Sequence, residues 1–440
     1  MSKPRLSVIG TGYLGATHAV CMAELGFDVV GLDVDPEKIA RLSAGEVPFY
    51  EPGLDDLLRK TLDSGRLRFT TSYDEIADAA DVHFLCVGTP QRKGEFAADM
   101  AYVDASVDAL APRLTRPCVV AGKSTVPVGT AERIAAQLHA QAPAGTDVEL
   151  VWNPEFLREG YAVDDTMRPD RLVFGVMSPR GEQAMREAFA PLLDAGVPAV
   201  VTDVATAQLV KVSANAFLAT KISFINAMAE VCEAVHADVK KLSEALSYDT
   251  RIGGRFLHAG LGFGGGCLPK DIRAFMARAG ELGVDQALTF LTEVDAINQR
   301  RRARMVDLAR ECVDDSFHGR RVGILGAAFK PNSDDIRDSP ALDVASRIQK
   351  AGAVVTVYDP AALNNARRDY PDLSYAENAA DAAHDADVLL HLTEWREFRD
   401  MDPHVFDGVV RHKSIVDGRN ALDPDRWRAA GWRYRALGRP

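Results

Sequence analysis

Cysteine is scarce in this chain: six residues among 440, at positions 21, 86, 118, 232, 267 and 312, with no CxxC pair. That scatter fits neither a disulfide framework nor a metal-finger spacing. The expectation is a protein of a reducing compartment, most simply the cytoplasm, holding no metal. Long apolar runs are missing as well. There is no apolar stretch of roughly 18 residues, and since Met1-Ser2-Lys3-Pro4-Arg5 leads straight into a short strand-like run, neither a signal peptide nor a lipid anchor is expected. No membrane partner is expected. Basic residues are in deficit, 51 against 63 acids for a net charge of -12, which argues against a general nucleic-acid-binding surface. What remains, 47% hydrophobic and 26% charged, is the balance of a globular protein. At ~150 residues per domain the length suggests roughly three units.

The first 150 residues alternate short apolar runs (Leu6-Ile9, Asp28-Leu32, Val82-Val87, Cys118-Ala121, Val148-Trp152) with amphipathic stretches of helical length. Such alternation predicts a parallel sheet with helices on both faces. From Asp203 to Ala237 the sequence reads as one helix without Gly or Pro, apolar on more than one face, hence a buried helix that bridges domains or forms a dimer core. A second helical stretch, Gln286 to Cys312, carries the cluster Arg300-Arg301-Arg302-Ala303-Arg304, read as a solvated helix face. At Arg320 the alternation resumes, and Gly26-Asp33 is echoed by Gly352-Asp359. The fold class expected is α/β, with two Rossmann-like doubly wound domains joined by a long central helix and a helical middle. Boundaries fall at 1–202, 203–312 and 319–440, with the connection around Val313-Gly319 separating the last two.

Strand Leu6-Ile9 runs into Gly10-Thr11-Gly12-Tyr13-Leu14-Gly15 and a helix follows at once. Gly10 and Gly12 allow a tight turn and close approach of a pyrophosphate, Gly15 lets helix and strand pack, and the helix N-terminus offers free N–H groups. Asp33 ends the second strand 18 residues after Gly15. An acid there accepts hydrogen bonds from a ribose 2′-OH and repels a 2′-phosphate, so NAD is favoured over NADP. Lys38 lies near the ribose or is simply solvated; the sequence leaves both open. Thr89 stands just past a strand, at a carboxyl end where such sheets bind ligands.

The segment Gly260 to Asp271 places three consecutive glycines directly before Cys267, with Pro269 suited to a first helical turn. Cys267 is therefore expected at a helix N-terminus, where the dipole favours a thiolate, with Lys270 adding positive charge. The other five cysteines sit in apolar patterns and read as buried small hydrophobes. NAD together with an activated thiol suggests a specific chemistry. One hydride leaves an alcohol to give an aldehyde; a thiolate then adds, and the resulting thiohemiacetal loses a second hydride to give a thioester that water hydrolyses.

With these residues in view, the chain resembles the UDP-glucose 6-dehydrogenase family within the UDP-glucose/GDP-mannose dehydrogenase group. The motifs that carry the resemblance are the glycine run, Ser124-Thr-Val-Pro-Val-Gly-Thr130, Asn153-Pro-Glu-Phe-Leu-Arg-Glu-Gly160, Lys211-Val-Ser-Ala-Asn215, Gly262-Phe-Gly-Gly-Gly-Cys-Leu-Pro-Lys-Asp271, Ala328 to Arg337, and Asp417-Gly-Arg419. The resemblance implies oxidation of a UDP-glucose C6 alcohol to UDP-glucuronate, two NAD reduced per sugar, by a homodimer. It makes Cys267 the nucleophile, Lys211 and Asn215 the groups that stabilise oxyanions, Asp271 and Thr125 the residues that bind or activate water, and Glu155 an acid/base. It assigns Tyr13, Leu14, Thr125, Glu159, Lys270 and Arg337 to the cofactor. Glu155, Phe156, Leu157, Lys211, Asn215, Phe256, Leu257, His258, Gly260, Gly264, Lys330 and Arg419 go to the sugar nucleotide, with Arg251 reaching the neighbouring subunit's site. Gly88, Gly266, Leu268, Ser333 and Asp338 depart from the common pattern without removing a required chemical group. Open alternatives are the same chemistry on TDP-glucose, GDP-mannose or an N-acetylhexosamine nucleotide, a two-electron hydroxyacid dehydrogenase indifferent to Cys267, and a non-catalytic binding module.

Overall fold

Leu6–Ile9 (β1) has no solvent-facing side: all four residues are at most 1% exposed, the signature of a central strand covered on both faces. In the computed structural model, which describes residues 3–440, β1 pairs in parallel with Val29–Leu32 (β2) and, on its other side, with a later strand. Counting along the chain, Leu67–Thr70 (β3), Val82–Leu85 (β4), Cys118–Gly122 (β5), Val148–Trp152 (β6), Leu172–Val176 (β7) and Ala199–Thr202 (β8) complete an eight-stranded sheet. Its order is β3-β2-β1-β4-β5-β6-β7-β8. The first six positions are the doubly wound order with its switch point between β1 and β4. Leu6, Val8 and Phe84 pack one face, and Ile9, Leu32 and Leu85 the other.

The expectation of a parallel sheet holds except at one place. β6 and β7 are antiparallel, Val151 opposite Val176 and Trp152 opposite Gly175, because the link between them does not cross a face of the sheet. Strands β3, β7 and β8 were not among those read from the sequence.

A second sheet comprises Arg321–Leu325 (β9), Val354–Tyr358 (β10), Ser374–Tyr375 (β11), Val388–His391 (β12), Ser414–Asp417 (β13) and Arg433–Ala436 (β14). All its pairs are parallel, in the order β11-β10-β9-β12-β13-β14, so it repeats the doubly wound pattern of the first. The chain divides into two compact units. One is the chain up to Ala214 with Arg273–Leu282; the other is Asn215–Ile272 with Gly283–Pro440. The two α/β sheets and the long helix are as the sequence led one to expect.

That helix runs Val204–Val235, close to the expected bounds, and Asp203 caps it by accepting the Thr206 N–H at 2.8 Å. It is not buried all round within the single chain. Phe217, Phe224, Val231 and Val235 are 66%, 49%, 53% and 65% exposed and recur at helical spacing on one stripe.

The arginine cluster requires a correction. The Thr289–Arg310 helix turns only part of that run to solvent: Arg300 and Ala303 are exposed, but Arg301 and Arg302 are 0% and 3% exposed. Arg301 donates to Glu233 at 2.8 Å, and Arg302 to Asp338 at 2.8 Å, so carboxylates distant in sequence make their burial tolerable. Among the described residues no helix is long and apolar enough to cross a membrane.

Candidate active site

Each glycine after β1 does a separable task. Gly10 has φ +87°, and a Cβ there would meet Val87 at 2.8 Å; a Cβ on Gly15 would meet the Gly10 carbonyl oxygen. These two positions close the turn and seat the Tyr13–Glu24 helix on the sheet. Gly12 differs, with nothing within 4 Å of its Cβ direction. The turn is thus closed toward the protein and open toward a ligand, which fits the pyrophosphate of a dinucleotide. Asp33, just past β2, is 7% exposed. Its Oδ2 accepts the Thr11 N–H (2.9 Å), the Thr11 hydroxyl and the Lys38 ammonium (2.9 Å), while Oδ1 takes only the Asp35 N–H, at 3.2 Å. Burial works against its charge, but the bonds from Lys38, Thr11 and Asp35 outweigh it and hold the carboxyl below its ordinary range. Lys38 lies against Asp33 with its side chain 29% exposed. Asp35 caps the Pro36–Ser43 helix through the Glu37 and Lys38 N–H groups, which sets the base of that side chain.

At the carboxyl ends of β4 to β6 in the same unit, Thr89 donates to the Thr125 carbonyl at 2.8 Å, tying two expected cofactor residues together. Glu155 and Lys211 form an ion pair at 3.0 Å with side chains 13% and 6% exposed. The other Glu155 oxygen accepts the Leu157 N–H at 2.7 Å, and Phe156 lies with Lys211 5.7 Å and Arg171 3.8 Å from its ring centroid. Lys123, 6% exposed, donates to Asn153 at 2.9 Å, and burial lowers its basicity.

In the second unit Cys267 immediately precedes the Leu268–Glu281 helix, and its carbonyl accepts the Asp271 N–H at 2.9 Å. It is the only exposed cysteine of the six. Cys21, Cys86, Cys118 and Cys232 are buried and Cys312 is half-buried. Burial pushes the thiols of Cys21 and Cys86 up to about 12 and of Cys118 to about 11, so these stay protonated and inert. One turn into the helix, Asp271 (2% exposed) accepts the Asn215 amide at 2.6 Å and pairs with Lys270 at 2.5 Å. Lys211 and Asn215 occupy one face of the long helix, one turn apart.

The glycines before Cys267 lend freedom in principle, but the loop is pinned. Asn298 accepts the Phe263 N–H at 2.7 Å and donates to the Phe263 carbonyl at 2.9 Å; Arg302, one turn along, donates to that carbonyl at 3.1 Å. Asn226 accepts the Gly260 N–H and Asn420 donates to the Ala259 carbonyl. Gly264 and Gly265 leave room for the Asp338 carbonyl and the Phe329 ring, which a Cβ would meet at 2.3 and 2.7 Å. Gly266 leaves room for the Arg337 guanidinium, itself bidentate to Asp335. Sequence reasoning missed Asn298, Arg302, Asn226 and Asn420, and no local signal marks them.

Other expected residues lie as follows. Arg419 is engaged by the fold, donating to the carbonyls of Leu392 (2.7 Å), Gly262 (2.9 Å) and Phe329 (2.9 Å), which joins the cysteine loop to the Lys330 segment. Phe256 has φ +63°, a strained conformation for an aromatic residue, in a loop where Leu257 and Gly260 are buried and His258 is exposed. Arg251 extends into solvent, 87% exposed, paired only locally with Asp249 at 2.6 Å. Lys330 and Glu159 are half-buried. Among the described residues no cluster of His, Cys, Asp and Glu is arranged to hold a metal ion.

Family models match in three consecutive segments: the NAD binding domain of the UDP-glucose/GDP-mannose dehydrogenase family over residues 4–193, its central domain over 205–300, and its UDP binding domain over 323–424. The chain belongs to that family. The central match carries the long helix and Cys267, and the last carries β9 to β13 with Lys330 and Arg419. As a member of the family the chain is an NAD-dependent oxidoreductase, built on two Rossmann-like sheets. A UDP-glucose 6-dehydrogenase from Rhizobium meliloti is 42% identical over 438 residues, covering 99% of this chain and all of that one. The UDP-glucose 6-dehydrogenase TuaD of Bacillus subtilis is 40% identical, covering 99% of this chain and 93% of that one. Among solved structures, a UDP-glucose dehydrogenase from Pyrobaculum islandicum superposes with a TM-score of 0.92 at 36% identity, covering 100% of this chain and 98% of that one. A UDP-D-ManNAc dehydrogenase from Pyrococcus horikoshii gives 0.85 at 26% identity, covering 99% of each chain.

Proposed function

We propose that this chain oxidises the C6 alcohol of UDP-glucose to the carboxylate of UDP-glucuronate, through a covalent intermediate on Cys267 and with two NAD reduced per sugar. The observation that carries the reading is the single exposed thiol, set at a helix start one turn from the buried Asp271–Asn215 pair.

NAD, when bound against the open side of Gly12, supplies the hydride acceptor. The chain's own groups do the rest. The Lys211 ammonium and the Asn215 amide lie one turn apart and stabilise negative charge developing on the C6 oxygen. The Cys267 thiolate adds to the aldehyde carbon, forming a C–S bond and a tetrahedral alkoxide that can again release hydride. The resulting thioester accepts water held by Asp271. The C–S bond then breaks, and thiolate and carboxylate result. The net change is alcohol plus water to carboxylate, with two hydrides transferred and three protons released.

The exposed apolar stripe Phe217, Phe224, Val231 and Val235 supports a second copy of the chain as the partner, since an unpaired stripe of this kind on one helix is costly in water. Arg251, projecting into solvent, suits a role completing the neighbouring subunit's site. The exposed thiol needs a reducing compartment, consistent with the cytoplasm.

The test is stoichiometric. Purified protein with excess NAD and a limiting panel of UDP-, TDP- and GDP-sugars yields two NADH per UDP-glucose if the reading is right, and the Cys267→Ala variant makes no acid while still binding NAD. One NADH per sugar with free aldehyde or ketone, or activity indifferent to Cys267, refutes the mechanism. Preference for another panel member refutes the substrate.

A further inference from the structure

Glu51 lies in the connection between the Pro36–Ser43 and Leu54–Asp63 helices and is 4% exposed. Its Oε2 accepts the Tyr13 hydroxyl and the Gly160 N–H, the latter at 2.6 Å, and its Oε1 accepts the Ala162 N–H at 2.7 Å. The Gly160 N–H also points at the Tyr13 oxygen, at 2.8 Å. Among the described residues no basic side chain forms an ion pair with it. A carboxylate buried without a counter-ion is costly, so its hydrogen bonds must repay that cost. Three donors converge on it from two sides, and a carboxylate alone offers acceptor oxygens in both directions. Glutamine offers one.

What Glu51 joins is informative. Tyr13 belongs to the glycine run, where its ring packs on Phe49 at 4.8 Å between centroids. Gly160 follows Glu159, an expected cofactor contact. The sugar side of the same loop has a separate anchor: Arg158 holds Asp165 through its N–H, Nε and Nη2, at 2.6 to 2.9 Å.

We propose that Glu51 is a positioning residue for NAD, holding the glycine run and the Glu159-Gly160 turn at the separation the dinucleotide requires, without touching the cofactor itself. The inference rests on the reading of the glycine run as the NAD cradle.

The test is a comparison of wild type with Glu51→Gln, Tyr13→Phe, the double variant and Asp33→Ser. NAD affinity is measured by fluorescence titration, and KM for NAD and for UDP-glucose separately. Glu51→Gln raises the NAD Kd and KM by roughly tenfold, the equivalent of ~1.4 kcal/mol for one lost buried acceptor, and leaves the sugar KM within about twofold. Tyr13→Phe raises the NAD values by roughly two- to fivefold, and the double variant is no worse than Glu51→Gln, because the hydroxyl acts through the carboxylate. An unchanged NAD Kd in either single variant, or a matched rise in both KM values, overturns the proposal. Should Glu51→Gln fail to fold, the Tyr13→Phe split between the two KM values decides alone. If Asp33→Ser also leaves NAD binding unaltered, the cradle reading falls and this inference with it. If Asp33→Ser weakens NAD and Glu51→Gln does not, only the inference falls.

Discussion

Truncating Asn298 to alanine tests whether the cysteine loop is held by the Thr289–Arg310 helix. The residue is 0% exposed and makes two hydrogen bonds to one backbone unit, accepting from the Phe263 N–H (2.7 Å) and donating to the Phe263 carbonyl (2.9 Å). After truncation the N–H is buried without a partner, which costs about 1–3 kcal/mol. The carbonyl keeps the Arg302 bond at 3.1 Å, so losing the amide donor there adds about 1 kcal/mol. The expected destabilisation is therefore ~2–4 kcal/mol, read from urea unfolding. Arg302→Met removes the complementary donor and, with it, the bond to Asp338 at 2.8 Å. Either single variant leaves the Phe263 carbonyl one donor, whereas the double variant leaves it none. The double-mutant cycle should then show a coupling of about 1 kcal/mol or more beyond additivity. Cys267, four residues on, should also change its rate of alkylation by iodoacetamide. A cost below about 1 kcal/mol for Asn298→Ala, together with additive effects, would refute the claim that this clamp holds the loop.

Three further outcomes follow from particular groups. Asp33→Ser removes the carboxylate that holds Lys38, freeing the ammonium to meet a 2′-phosphate; the NADP-to-NAD ratio of kcat/KM should rise by about tenfold or more, and no change would exclude this pair from the ribose site. His83 is buried against Ser7 at 2.8 Å, and burial first, then Arg116, lowers its pKa to about 3. The unfolded chain therefore takes up a proton below about 6.5 that the folded one refuses, and stability falls as pH drops from there toward 3. His83→Gln should lose about 2 kcal/mol less than wild type between pH 6.5 and 5 in denaturant titrations, and equal losses would contradict the reading. On the proposed dimer, Phe224→Glu places a charge in the middle of the exposed helix stripe and should shift the protein toward monomer in light scattering, with acid formation lost; unchanged association would place the interface elsewhere.

Legibility followed the range of the interactions. β1 and β6 stand at the bounds their apolar runs suggested, and Lys211 and Asn215 share a face because helix spacing is local information. The reversal of β7 left no trace in the sequence, since a strand covered on both faces looks the same in either direction. Arg301 and Arg302 were misread because charged side chains are rarely buried unless paired, and their partners lie 68 and 36 residues away. Glu51 escaped notice for the same reason: its donors come from positions 38, 109 and 111 residues distant. The residues that do chemistry carry short motifs. Those that hold them in place carry none, because packing, and not spacing, brings them together.

The two sheets share a strand order, and in each an aspartate directly follows the second strand, yet the two carboxylates have different freedom. Asp359 accepts the Ala327, Ala328, Ala361 and Ala362 N–H groups and the Trp395 indole N–H, and is 1% exposed. Five donors, four of them buried, leave it no lone pair for a ribose. Asp33 instead shares one oxygen with a lysine that can retreat into water. The same acid at the same place is thus a spent valence in one sheet and an available one in the other. A ribose hydroxyl offered to both would find an acceptor oxygen at the first and none at the second.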